Sequence, residues 1–112
     1  MNICSYIYEM DEIIENKTGL NTQELEQLAH MLKAIAHPAR LAIVDLLSRN
    51  ECLHCTQLME STRVEQSLLS HHLSTMHDRG ILARVKEGKF IQYRLADERI
   101  AKIVECLVQK EV

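Results

Sequence analysis

The sequence is poor in residues that interrupt secondary structure and in residues that stack. Its 112 residues include three glycines, one proline and no tryptophan, and aromatic residues make up 4%. So little glycine and proline disfavours long loops and disorder, and the aromatic content excludes a surface of stacked rings. No apolar run approaches the ~20 residues of a membrane-spanning helix. The first ten residues lack the pattern of a signal peptide. We therefore expect one cytoplasmic domain.

The net charge of −3 is distributed unevenly along the chain. Residues 1–30 carry −5, residues 31–61 are neutral, residues 62–94 carry +3 and residues 95–112 carry −1. Attraction to nucleic acid depends on a local basic face and not on the sum of all charges. The basic segment is therefore a candidate nucleic-acid surface, although chance variation of surface charge would produce the same pattern.

Apolar periodicity predicts mainly helices. A first helix over residues 3–16 carries a heptad-like seam of Ile3, Ile7, Met10 and Ile14. A second helix starts at Asn21, with Glu24 completing a capping box, and it breaks before Pro38. Pro38 suits the first turn of a third helix that ends near residues 48–50.

The second half of the chain combines helices with a hairpin. We predict a short helix at 56–60, a turn at 61–65, and a longer helix at 66–79 that Gly80 ends. Two strands at 81–84 and 90–95 follow, joined by a turn at 86–89, and Asp97 is the expected N-cap of a last helix. The longer helix is expected to bury Leu68, Leu69, Leu73 and Met76.

A short helix, a tight turn, a second helix and a basic hairpin form a winged helix-turn-helix. Three segments resemble ArsR/SmtB-type bacterial repressors: LKAIAHPARLAIVDLLS, VEQSLLSHHLSTMHDRGIL and RVKEGKFIQYRL. The resemblance covers roughly residues 22–110, with the segments in the family's order. It implies a mostly α fold with a small β-hairpin, an α-α-α-α-β-β-α core, and an extra N-terminal helix. We divide the chain into an arm at 1–20 and a DNA-binding and dimerisation domain at 21–112.

The resemblance also implies a homodimer whose interface is formed by the first and last helices of the domain. The apolar faces of these helices have no other large partner in so short a chain. The N-terminal seam either extends the interface or packs on its own subunit. The expected interface residues are Ile3, Ile7, Met10, Leu25, Leu28, Leu32, Ile103, Val104 and Leu107.

The second helix of such a motif places its N-terminal residues at base edges in the major groove of double-stranded DNA. Gln pairs with adenine and Ser with either base, so we assign base contacts to Gln66, Ser67, Ser70 and His71. We expect His72 and Ser74 to contact phosphate or to pack against the rest of the protein. The alternative for His71 and His72 is that they form a half-exposed pair with no special role. Phosphate contacts are assigned to Arg63, Lys86, Lys89 and Arg94. Two-fold symmetry predicts a palindromic operator.

The cysteines are candidates for sensing a signal. The resemblance implies release from DNA by a metal or metalloid ion or by thiol oxidation. Many relatives carry Cys-x-Cys before the recognition helix, whereas this chain has Cys52 and Cys55 one residue further apart, with His54 between them. Thiolates favour soft ions such as Zn(II), Cd(II), Pb(II) or As(III). Two thiolates do not complete a tetrahedral site, so Cys4 is the candidate third ligand. The family's other site, on the last helix, needs a His that is missing here.

Several alternatives remain open. Cys52 and Cys55 could instead form a regulatory disulfide, or the cysteines could be small core residues, which is our expectation for Cys106. An enzyme is not expected, because no phosphate-binding loop, nucleophile elbow or paired-carboxylate cleft is present. A non-inducible DNA-binding or adaptor protein is the last alternative. An adaptor would lack the basic wing and the polar helix face that this chain has.

Overall fold

The computed structural model describes residues 19–108. In that range the chain forms α1 (Thr22–Ile35), α2 (Pro38–Arg49), β1 (Leu53–His54), α3 (Cys55–Thr62), α4 (Gln66–Asp78), β2 (Leu82–Glu87), β3 (Phe90–Leu95) and α5 (Glu98–Val108). The predicted helix over residues 3–16 lies outside the described residues. Internal contacts divide the chain into one unit that ends at His30 and another that begins at Met31.

In the first unit, the start of α1 has the predicted capping box. The Glu24 backbone N–H donates to Asn21 Oδ1 at 2.7 Å, and the Asn21 N–H donates to Glu24 Oε2 at 3.3 Å. These bonds satisfy backbone donors that have no partner within the first turn of a helix. Local side-chain chemistry therefore determines where this helix begins.

In the second unit, the break between α1 and α2 follows the predicted His37-Pro38 pair. Pro38 occupies the first turn of α2, where no intrahelical N–H bond is lost. His37 is the N-cap, and its Nδ1 accepts a hydrogen bond from the Ala39 N–H at 3.0 Å. The helix ends at Arg49, as predicted.

Residues from α2, α3, α4, α5 and the start of the sheet share one apolar core. Its largest fully buried side chains are Ile43, Val44, Leu58, Leu69, Leu73, Met76, Ile81 and Ile100. Burial of each such side chain contributes roughly 1.5–3 kcal/mol to stability. This core is the support on which α4 and the hairpin are held.

The buried face of α4 differs from the prediction at one residue. Leu69, Leu73 and Met76 are buried, but Leu68 is 48% exposed and His72 takes the remaining core position. Residues 69, 72, 73 and 76 span about 100° of the helix surface, whereas residue 68 lies about 40° beyond the edge of that face at His72. Including Leu68 was therefore wrong, because hydrophobicity was given more weight than angular position.

The strands form a three-stranded antiparallel sheet in the order β1-β3-β2. Strand β1 was not predicted, since two residues are too few for an alternating pattern. Leu53 pairs with Tyr93, and His54 pairs with Gln92. Strand β3 has the predicted bounds, whereas β2 is longer than predicted, because it continues to Glu87 and leaves only a two-residue turn. Gly88 in that turn has φ +62°, a conformation that glycine adopts without strain.

The last helix confirms one prediction and corrects another. Asp97 precedes α5, and its Oδ1 accepts a hydrogen bond from the Arg99 N–H at 3.0 Å, as expected of an N-cap. Cys106, expected in the core, is exposed, because the buried face of α5 is supplied by Ile100 and Val104. Among residues 19–108, no helix has both the length and the apolar character to cross a membrane.

Candidate nucleic-acid interface

A tight turn at residues 63–65 connects α3 to α4. Arg63 is the C-cap of α3, and its N–H donates to the Met59 carbonyl at 2.8 Å. Its φ of 57° is left-handed, a conformation in which non-glycine residues are uncommon. The turn allows α3 and α4 to pack together and leaves the Arg63 side chain exposed, as a phosphate contact requires.

The polar residues at the start of α4 form one exposed face. We call this set the outer face, and its exposed members are Gln66, Ser67, Ser70, His71 and Ser74. Their positions recur at i, i+1, i+4, i+5 and i+8, so they lie together along the helix. The face offers amide, hydroxyl and imidazole groups, all of which can hydrogen-bond to base edges or phosphates.

The opposite, inner face of α4 consists of Leu69, His72, Leu73 and Met76. His72 is only 3% exposed, and its Nδ1 accepts a hydrogen bond of 2.9 Å from Arg40 Nε. For His72, burial favours packing over the alternative of a phosphate contact. Arg40 lies in the first of the three family-like segments, but the sequence did not indicate its partner, which is 32 residues away.

The environment of His72 lowers the pKa of its imidazole below the usual 6.5. Desolvation by burial is the largest cause, followed by the positive charge of Arg40 and then by His37 and His71. The His37 ring lies 4.6 Å from the His72 ring between centroids. His72 is therefore neutral at pH 7, and a neutral ring is needed for Nδ1 to accept the bond from Arg40.

The hairpin, or wing, presents two faces with different basic residues. Lys86 and Lys89 are exposed. Arg84 shares a sheet face with Lys86 by alternation, and its Nη2 lies 3.3 Å from Nδ1 of His77 in α4. Our site prediction omitted Arg84, which the structure brings beside the recognition helix.

Arg94 lies on the other face of the wing. It pairs with Ala83, and directly paired residues of antiparallel strands share a face, so it points away from Lys86. It lines a polar groove of about 440 Å³ with the end of α2 and the start of α5. The sequence prediction assigned phosphate contacts to both Lys86 and Arg94, whereas the strand register places them on opposite sheet faces.

The candidate sensor segment is built around β1. Cys52 and Cys55 are half-buried and directly flank Leu53–His54. His54 Nε2 lies 3.4 Å from Gln92 Nε2, and the His54 ring meets the Phe90 ring edge-on at 5.4 Å. Within residues 19–108, no three His, Cys, Asp or Glu side chains are grouped to hold a metal ion. Cys4 lies outside the described residues.

An apolar groove of about 500 Å³ lies between the end of α1, α2 and α5. Leu32, Leu41 and Leu107 line it and are 39%, 38% and 80% exposed. Ile103 is half-buried and Val104 is buried, so Val104 contributes mainly to its own protomer's core. Of the other expected interface residues, Leu25 and Leu28 lie in the first unit, and Ile3, Ile7 and Met10 lie outside the described residues.

Comparison with known proteins places the same region in one family. Residues 37–84 match the family described as "Bacterial regulatory protein, arsR family". The chain is 35% identical to the transcriptional repressor PagR of Bacillus anthracis, over 74% of this chain and 83% of that protein. It is 32% identical to a cadmium resistance transcriptional regulatory protein CadC homolog of Staphylococcus aureus, over 96% of this chain and 90% of that protein.

Solved structures show the same fold. The crystal structure of PagR superposes with a TM-score of 0.71 at 34% identity, covering 76% of this chain and 97% of PagR. A homodimeric winged helix-turn-helix DNA-binding domain from Mycobacterium bovis, described as a possible ArsR-family transcriptional regulator, superposes with a TM-score of 0.69 at 26% identity. That match covers 80% of this chain and 85% of the domain.

Proposed function

Because this chain belongs to the arsR family of bacterial regulatory proteins, it is a DNA-binding transcriptional regulator, and we propose that it is a homodimeric repressor of a palindromic operator. We further propose that a soft metal or metalloid ion at cysteine thiolates releases it. The observation that carries the DNA-binding part is the outer face of α4. There, five polar side chains lie exposed together on a helix anchored by its inner face.

In this proposal the outer face contacts bases and basic side chains contact phosphates. Gln66, Ser67, Ser70 and His71 are at the N-terminal end of α4, the end that meets base edges in this motif. Ser74 lies further along the same face. Arg63, Lys86 and Lys89 are exposed cations around it, and Arg84 joins them.

Selection of binding sites from random DNA, followed by footprinting, tests the proposal. A palindrome with half-sites about 34–36 Å apart is expected, and a single asymmetric site would contradict it.

We propose that the apolar groove is covered by a second copy of the chain. Exposed leucines around one concave surface are costly to leave in water, and the domain from Mycobacterium bovis is described as homodimeric. Leu107→Asp should therefore shift the protein from dimer to monomer in sedimentation measurements. Leu68→Asp, at an exposed leucine outside the groove, is the matched control and should remain dimeric.

For the sensor, we propose a soft ion bound by Cys52 and Cys55. The cadmium-resistance relative aligns along 96% of this chain, so the similarity extends into the N-terminal arm. The described residues supply thiols of the right chemistry but not a full ligand set, so Cys4 is proposed as the third donor, with His54 adjacent. Once bound, the ion would replace the thiol protons and cross-link the thiolates beside α3.

The position of β1 suggests how such a cross-link would reach the DNA-binding surface. The two cysteines enclose β1, and β1 is hydrogen-bonded to the wing strand β3. A change in the spacing of the cysteines would therefore act on the sheet that includes the wing. This would be a shift between DNA-competent and DNA-incompetent states, as ligand-linked regulation requires.

Thiol oxidation is the second candidate, and the extended conformation of β1 bears on it. At about 3.3 Å per residue, the Cα atoms of Cys52 and Cys55 are expected about 10 Å apart, whereas a disulfide needs about 4.4–6.8 Å. In this reaction Cys52 and Cys55 would form a disulfide and give up two electrons and two protons. The acceptor would be an external disulfide such as oxidised glutathione, which would be reduced to two molecules of the thiol. Oxidation would then have to separate β1 from β3.

One titration separates the two candidates. Operator binding by the reduced protein is measured while Cd(II), Zn(II), Pb(II), arsenite or oxidised glutathione is added. Thiolate-to-metal absorbance is followed in the same samples. The double variant Cys52→Ser/Cys55→Ser should lose the response, Cys4→Ser should weaken only the ion response, and Cys106→Ser is the exposed-thiol control. If no addition releases DNA, or if the double variant responds like wild type, the sensor proposal fails.

A further inference from the structure

Arg40 connects three helices of the second unit. From the first turn of α2, its Nε donates to His72 Nδ1 on α4 at 2.9 Å, and its Nη1 donates to the Ala34 carbonyl on α1 at 3.2 Å. The pair spans 32 residues of sequence. Because the guanidinium is planar and rigid, it holds both acceptors in a defined relative position.

Each acceptor needs this donor. Ala34 is fully buried near the end of α1, where the last carbonyls of a helix have no intrahelical partner. His72 is buried as well, and a buried acceptor without a partner is costly. The two bonds therefore favour one arrangement of α4 against the ends of α1 and α2.

The arrangement of α4 determines where its outer face points. His72 follows His71 directly and is two residues from Ser70, so a rotation of α4 at His72 moves the outer face with it. We propose that Arg40 and His72 are positioning residues that set the orientation of the recognition helix, and that protonation of His72 releases this setting and weakens sequence-specific binding. The inference rests on the DNA-binding role and is independent of the cysteine proposal.

Protonation would act in a defined direction. A proton on His72 Nδ1 would point at the Arg40 guanidinium, so Nδ1 could no longer accept the hydrogen bond from Arg40 Nε. The other titratable groups around the ring are His37, at the start of α2, and His71, whose centroid is 6.1 Å away. All three neighbours repel a positive charge on His72 and lower its pKa in addition to the effect of burial.

The experiment compares affinity for the selected operator with affinity for random DNA across a pH series on both sides of about 6.5. Wild type should lose operator preference as the pH falls. His72→Gln offers a side-chain carbonyl to Arg40 but does not titrate. It should keep most of the preference at neutral pH and lose its pH dependence. His71→Gln is the matched control and should retain the acid loss.

Arg40 variants test the pair from the other side. Arg40→Met should reduce operator preference roughly tenfold or more at neutral pH, because buried acceptors lose a charge-assisted donor. Arg40→Lys, which cannot bridge two acceptors in a fixed geometry, should rescue the preference only in part. Circular dichroism verifies that each variant is folded, and the lysine variant retains the test if Arg40→Met unfolds.

Two results would overturn the inference. One is an equal loss for operator and random DNA in Arg40→Met together with full binding in Arg40→Lys, which would make Arg40 a general source of positive charge. The other is an unchanged acid loss in His72→Gln, which would place the titrating group elsewhere. If wild type shows no operator preference at any pH, the proposed repressor function fails instead, which is a separate outcome.

Discussion

His71 and His72 are neighbours in sequence and have the same side chain, but they lie on opposite faces of α4. His71 is exposed on the outer face, while His72 is 3% exposed and accepts a hydrogen bond from Arg40. In the proposed function the outer face contributes binding energy only when DNA is present, whereas the inner face contributes to the folded state at all times. In this helix, therefore, the role of a residue follows from its angular position around the helix axis and not from its type.

The largest contrast between the faces should be in stability. Leu69→Ala removes a fully buried side chain and should lower the free energy of unfolding by about 2–5 kcal/mol. Leu68→Ala, one residue earlier and half exposed, should change it by much less. Denaturant unfolding followed by circular dichroism measures both. Similar losses of unfolding free energy in the two variants would contradict the division of α4 into a buried and an exposed face.

The next contrast is in DNA sequence preference. Gln66→Ala and Ser70→Ala should each cost roughly 1–3 kcal/mol of discrimination against wrong bases, while stability is retained. Competition between the operator and single-base variants of it measures the effect. If Gln66→Ala weakens operator and random DNA equally, its assignment to base contact is wrong.

The same distinction between faces applies to the wing. Lys89→Ala should weaken binding to all sequences alike and reduce the slope of log affinity against log salt by about 1. Arg94→Ala should have a smaller effect, because Arg94 lies on the sheet face opposite Lys86. Salt titrations of both variants test this, and a larger change for Arg94 would show that the other sheet face meets DNA.

The smallest expected contrast is in the pH dependence of stability. The pKa of His72 is lowered in the folded protein, so between its folded and unfolded values the unfolded chain binds more protons. The contribution to stability is therefore complete above about 6.5 and is lost as the pH falls through the lower, folded pKa. Unfolding measurements across this range should show a shallower decline in His72→Gln than in His71→Gln. Equal declines of stability in the two variants would contradict the assignment of this pH dependence to His72.

Local signals in the sequence were sufficient for most of the fold. The Asn21 and Glu24 side chains, Pro38 and Gly80 act on backbone groups within a few residues of themselves, so the helix ends they produce were predictable. The outer face of α4 was predictable for the same reason, since polar residues at helical spacing needed only the 3.6-residue period. The family resemblance then indicated which of the helices contacts DNA.

Several of the features that were missed depend on partners in other helices or strands. Strand β1 exists because its two residues pair with β3, and Arg84 joins the candidate interface because it reaches His77. The sheet register, and not residue type, placed Arg94 on the face opposite Lys86. None of these contacts leaves a pattern in a window of neighbouring residues.

The sequence by itself determined a helical module with a basic wing, because amphipathic spacing, capping residues and charge are local properties, and its family resemblance implied that the module binds DNA. Only the tertiary structure decided that His72 packs inward, that Arg40 holds it, and that the two half-buried cysteines enclose a strand of the wing sheet. Those outcomes depend on which buried polar groups find partners, and burial is a property of the packed chain as a whole.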